Sequence, residues 1–213
     1  MTSKSIFTAL LFVFTISSCV ETSNDIIPVD FEKYKKEFIP GLTQKRANEI
    51  LSKQRVEVLE KTIGKEIPDS IFVKNENGEV ELKKLLTEKT LLVLTASHCA
   101  WGMEGLTNDM PYALNKLKEE KIEINVICLF IKTEFDDEDI TYFNTTYNEL
   151  KVFYPNIYVI SEKDSRRLNV TVNPARMLID QDKSVISKRD GVSTPEGLYE
   201  ELKKLLQTKA NQL

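Results

Sequence analysis

A single histidine and only three cysteines stand among the 213 residues. One imidazole excludes a metal site built from two or more histidines. Three thiols are too few for a disulfide scaffold, so their placement carries more information than their number. Basic charge is also short, with 29 Lys and Arg against 33 Asp and Glu and a formal net charge of −4. Phosphate binding needs a basic face, and this balance argues against nucleic acid as the main partner. No apolar run reaches the roughly 20 residues that a membrane-spanning helix requires. Internal repeats and low-complexity tracts are absent. What is present is a hydrophobic fraction of 41%, enough to build a core and to exclude wholesale disorder. At about 100–200 residues per domain, the length allows one domain with appendages or two small ones.

The chain opens MTSKSIFTALLFVFTISSC, with Lys4 as a positive charge and an apolar run from Ile6 to Ile16 broken only by Thr8 and Thr15. That run is short for a bilayer but suits the hydrophobic region of a signal peptide. The tetrad Ile16-Ser17-Ser18-Cys19 resembles the lipobox of bacterial lipoproteins, which are cleaved just before the cysteine. The resemblance implies a signal peptide over residues 1–18 and acyl chains on Cys19. Two or more such chains hold a protein stably at a membrane. The body would then be soluble, tethered and extracytoplasmic, in the bacterial cell envelope. An ordinary secretory signal with Cys19 as a free thiol is the alternative.

Residues 19–29 read as the tether. A helical pattern from Asp30 to Phe38 stops at Pro40-Gly41, and Thr43 reads as the N-cap of a helix that ends at Gly64. Residues 30–63 thus form a helical extension. Beyond it the pattern changes. Asn77-Gly78 between Ile71-Phe72-Val73 and Val80-Glu81-Leu82 signals a β-hairpin. Leu91–Leu94 reads as a buried strand, Met103–Lys118 as a helix, and Ile124–Ile131 as a second buried strand. The acidic run 134–139 reads as the solvated start of a helix to Leu150. A strand over Ile157–Ile160, a hairpin over Arg176–Lys188 and a helix from Pro195 complete the pattern. Strands that alternate with helices, with central strands apolar on both faces, indicate an α/β sheet covered by helices.

Cys99 sits just past a buried strand and just before a helix. Unpaired N–H groups at a helix N-terminus stabilise a thiolate, the species that attacks disulfides. Here the sequence resembles the thioredoxin fold, in particular the redoxin and TlpA-type thiol–disulfide oxidoreductases of the bacterial envelope. Ile67-Pro68-Asp69 with the hairpin is similar to that family's opening segment, and Ala96-Ser97-His98-Cys99 to its active-site approach. Val172-Asn173-Pro174 before Met177-Leu178-Ile179-Asp180 is similar to its cis-proline loop and following strand. The resemblance spans about residues 64–207 and implies a central mixed sheet flanked by helices. It also implies Cys99 as nucleophile, with Pro174 facing it and exposing the backbone of Asn173 to a bound peptide.

Departures from the family pattern bear on function. Cys99-Ala100-Trp101-Gly102 puts glycine where the resolving cysteine of Cys-x-x-Cys should stand. His98 replaces the usual tryptophan and is a candidate base or charge partner, while Trp101 is a candidate rim residue for substrate. Pro111 falls about one turn late for the family's helix proline. Cys128, inside INVICLFI, reads as a core thiol or else as a remote resolving cysteine. A peroxiredoxin loop would need proline at position 92 and threonine at 96, where Leu92 and Ala96 stand. A Sco-type copper site would need Cys-x-x-x-Cys and a distal histidine, and neither occurs. No cofactor or metal is expected. Three functions remain open: thiol–disulfide exchange through Cys99 with a protein or peptide substrate, a non-catalytic module that binds a partner in the cis-proline groove, and a structural role at the membrane.

Overall fold

A computed structural model describes residues 24–170 and 174–210. Cys19 and Asn173 lie outside those residues, as does the signal-peptide segment. Among the described residues, no helix is long and apolar enough to cross a membrane.

Two helices, α1 (Phe31–Lys35) and α2 (Gln44–Glu60), come first. Asp30 and Thr43 cap them by accepting the backbone N–H groups of Glu32 and Arg46. Next comes the hairpin β1 (Phe72–Asn75) and β2 (Gly78–Glu81). Asn75 pairs with Gly78, so the loop is Glu76-Asn77, one residue earlier than the Asn77-Gly78 expectation. Gly78 itself, at φ +120°, opens the returning strand. A short α3 (Leu82–Leu85), too brief for a periodic pattern to mark it, leads into β3 (Thr90–Ala96).

All seven residues of β3 are buried. The strand runs mid-sheet in the order β2-β1-β5-β4-β3-β6-β7, where β4 is Asn125–Lys132, β5 Ile157–Ser161, β6 Ala175–Ile179 and β7 Val185–Asp190. It is parallel to β4 and antiparallel to β6. Side chains alternate across a strand, and here each face meets a core. Leu92, Leu94 and Ala96 enter one cluster with Ile127, Leu129 and Met177. Leu91 and Val93 enter the other with Leu106, Phe130 and Leu202. This explains the continuous apolar run, since neither face of β3 meets water. The remaining helices are α4 (Ala100–Glu104), α5 (Met110–Glu119), α6 (Phe135–Glu138), α7 (Ile140–Phe153), α8 (Glu162–Arg167) and α9 (Pro195–Ala210). A mixed seven-stranded sheet flanked by helices is the architecture that the sequence resemblance implies.

The extension is fastened to this body. Ile26 and Val29 are buried, and Asp25 bridges to Glu66, which bridges in turn to Ser184 beside β7. Of the segment read as a tether, residues 24–29 therefore lie against the domain. Asn169 provides a rivet. Fully buried, and in the left-handed region (φ +57°) that asparagine tolerates, it accepts the Val29 N–H at 2.8 Å and donates to the Ile27 carbonyl and the Thr62 hydroxyl.

Candidate active site

Strand β3 delivers the chain to the top of the sheet, where the Cys99 N–H donates to the Ala96 carbonyl at 3.1 Å. Cys99 then caps α4, and its Sγ accepts the Gly102 N–H at 3.3 Å. The thiol is half-buried. The helix widens into one π-type turn over Gly105–Asp109 before α5, whose first turn holds Pro111. Proline lacks an N–H and its ring clashes with the carbonyl four residues back, here Thr107. The late proline thus falls where a π-turn accommodates it. Pro174, buried, immediately precedes β6. Leu94 pairs with Ala175, which puts Pro174 at the Cys99 end of β3. Its carbonyl accepts the Gly191 N–H at 2.7 Å.

No protein-family model and no curated protein matches this chain. Among solved structures it is similar to the thioredoxin domain of a thiol–disulfide oxidoreductase from Bacteroides vulgatus. Identity there is 16% and the TM-score 0.50, over 68% of this chain and 98% of that one. A putative electron transfer protein from Aquifex aeolicus is similar at 18% identity and TM-score 0.50, over 68% and 92%. The chain has a thioredoxin-like fold.

Within this thioredoxin-like domain, the place of a second cysteine is filled. A Cβ built on Gly102 would lie 2.4 Å from the Thr95 hydroxyl oxygen and 3.1 Å from the Cys99 sulfur. Thr95 is fully buried, and its Oγ1 is the one buried side-chain oxygen or nitrogen among the described residues without a hydrogen-bond partner. Glycine at 102 and threonine at 95 are therefore a matched pair. The sequence signal is a threonine one place before the end of a strand that is otherwise apolar except for Thr90 at its start.

Asp136 also escaped the sequence reading. It is buried rather than part of a solvated helix start, because its carboxylate turns inward to satisfy three donors. One oxygen accepts the Ser97 hydroxyl, and the other accepts the Thr133 N–H at 2.7 Å and the Thr133 hydroxyl at 2.8 Å. The Tyr142 hydroxyl donates to the Ser97 carbonyl at 3.3 Å. Ser97, two residues before Cys99, is thereby tied to the loop after β4. Five acidic side chains within residues 134–139 give no hint of which one points inward.

The other candidates separate. Trp101 is 71% exposed on the first turn of α4, open to a partner rather than packed on its own helix. His98 is exposed and borders a cleft shared with α1. Cys128 pairs in register with Val93, three residues below the end of β3. At about 3.3 Å per residue the gap is roughly 10 Å before the chain even turns toward Cys99, beyond the ~7 Å Cα separation that a disulfide can bridge. Burial pushes the Cys128 thiol up to about 12, so it is a core residue and not a resolving cysteine. Arg176 is committed to the Gly191 carbonyl and the Ser193 hydroxyl, with Glu201 nearby. Among the described residues, no group of three or more His, Cys, Asp or Glu is placed to hold a metal.

Proposed function

We propose that this is a lipid-anchored, thioredoxin-like protein of the bacterial cell envelope that exchanges disulfides with protein substrates through one thiol, Cys99. The observation that carries the reading is the Cys99 sulfur at the N-cap of α4, half-buried and accepting the Gly102 N–H. The Cys99 thiolate attacks one sulfur of a substrate disulfide. That S–S bond breaks, a mixed disulfide forms, and the displaced sulfur leaves as a thiolate that takes a proton from water. With Gly102 in place of a second thiol and Cys128 out of reach, the mixed disulfide is resolved only when a thiol from outside this chain attacks the substrate-side sulfur, which frees Cys99 as a thiolate and leaves the new disulfide between that thiol and the substrate. The protein ends as it began, so it transfers disulfide partners without net oxidation or reduction of itself.

The test is incubation of the full chain with a disulfide-bonded peptide, followed by mass mapping, beside a membrane fractionation of wild-type and Cys19→Ala chains. Expected is an adduct on Cys99 and none on Cys128, persisting until an external thiol is added, with Cys19→Ala released from the membrane fraction. Absence of any Cys99 adduct would sink the exchange reading. The Thr95–Gly102 pairing also supports a second reading, a module that holds a peptide without exchange. Unchanged peptide binding by Cys99→Ser together with a silent wild-type thiol would select it.

A further inference from the structure

The extension does more than pack on the domain. Helix α1 and the residues after it lie over the carboxyl end of the sheet, the end where Cys99 also sits and where open α/β sheets take their ligands. Between them lies a cleft of about 360 Å³. Phe31, Tyr34, Phe38, Ile131 and Val170 supply the aromatic and aliphatic part of its lining, beside His98 and polar side chains such as Gln54 and Thr133. His98 directly precedes Cys99, so their Cα atoms are about 3.8 Å apart, and the cleft reaches the residue next to the thiol.

The charge around the cleft is internally cancelled. Lys35 pairs with Glu32 at 2.7 Å, and Arg166 pairs with Glu162 at 2.6 Å. A carboxylate or phosphate ligand would have to displace these carboxylates, whereas an uncharged group meets aromatic and aliphatic walls at no such cost. The volume lies at the lower end of the roughly 300–1,000 Å³ typical of ligand pockets. That suits one large side chain with its flanking backbone.

Resting on the exchange reading, we propose that this cleft is a specificity subsite that holds an aromatic or large aliphatic side chain of the peptide whose cysteine pairs with Cys99. An extended peptide advances about 3.3 Å per residue, and His98 is the immediate neighbour of Cys99, so the recognised residue stands within a few positions of that cysteine. The N-terminal extension thus supplies substrate selection that the thioredoxin-like domain alone lacks.

His98 is the sole histidine of the chain, so its ring protons give one resolved NMR reporter inside the cleft. The full chain carrying Cys99→Ser is titrated with hexapeptides in which serine replaces the cysteine and the residue three positions on is Phe, Gly or Asp. The Phe peptide is expected to shift the His98 signals saturably, and the Gly and Asp peptides are not. Phe38→Ala, at a side chain 43% exposed and outside the core clusters, is expected to weaken the Phe peptide about fivefold. Equal shifts with all three peptides, or indifference to Phe38→Ala, would overturn the subsite. In parallel, the wild-type chain reacts with disulfide forms of the same peptides. Equal adduct rates with Phe and Gly overturn the subsite and leave exchange standing. No adduct, with the His98 shifts intact, removes exchange and leaves the cleft a peptide-binding site.

Discussion

Replacing Gly102 by alanine puts a methyl carbon 2.4 Å from the Thr95 hydroxyl, at least half an ångström inside a normal contact. Thr95 has little room to yield, since it lies on the central strand with both neighbouring strands paired to β3. One alternative χ1 rotamer puts the methyl in the oxygen's place, and the other must reseat both hydroxyl and methyl at a site where Thr95 is fully buried. Overpacking of this kind costs about 1–3 kcal/mol, offset by up to ~1 kcal/mol because alanine favours a helix over glycine. Gly102→Ala should therefore destabilise the protein by about 1–2 kcal/mol. Thr95→Ala removes the opposing atom together with a buried hydroxyl that lacks a partner, and on that background Gly102→Ala should be neutral or slightly stabilising. The double-mutant cycle should thus show a coupling of about 2 kcal/mol between positions 95 and 102. Equilibrium urea unfolding measures it as shifts in midpoint at constant slope, and in a chain this long each kcal/mol moves Tm by about 2–4 °C. A Gly102→Ala cost that is the same with threonine or alanine at 95 would refute the steric pairing. The same pair sets a chemical expectation. The 3.1 Å between the built Cβ and the Cys99 sulfur is close to the ~3 Å that separates a Cβ from the far sulfur of a disulfide. Thr95→Ala with Gly102→Cys should accordingly form an internal disulfide, read as the loss of two hydrogens in the intact mass, while Gly102→Cys alone should form it poorly.

Asp136→Ala strands the Ser97 hydroxyl and both Thr133 donors, so it should cost about 2–4 kcal/mol; Asp136→Asn, which keeps one acceptor, should cost less, and chemical denaturation ranks the two. Lys33, the Tyr34 hydroxyl and Lys61 surround Glu57 and hold its carboxyl down from 4.5 to about 2, with Lys33 the largest cause. A depressed carboxyl stabilises the fold fully above its ordinary value and loses that contribution as pH falls through its folded value. Glu57→Gln should then cost about 1 kcal/mol at pH 7, with the gap to wild type closing between pH 4.5 and about 2; a constant gap across that range would count against the cluster.

How far the sequence reveals the molecule depends on what each feature rests on. Elements set by periodicity and punctuation are legible, as with β3 from its apolar run and α2 from the Thr43 cap. The hairpin loop slips by one residue because a glycine with positive φ can serve either as the second loop residue or as the first of the returning strand. The site is legible only along the chain. Cys99, its helix and the missing second thiol are local facts. Thr95 against Gly102, Asp136 against Ser97, and the cleft between α1 and His98 are contacts across the fold, and no spacing rule announces them. The sequence allows Cys128 two roles, and strand register decides between them by placing it beside Val93.

The rivet at Asn169 has a consequence at the membrane. Because the chain is held to the body from Asn24 onward, only residues 20–23 lie between it and Cys19. With the lipid on Cys19, as proposed, that leash spans at most about 18 Å even fully extended, less than the roughly 29 Å across a seven-stranded sheet. The Cys99 thiol would then sweep a shallow layer next to the bilayer, and its partners would be proteins that share that surface rather than those diffusing through the compartment beyond it.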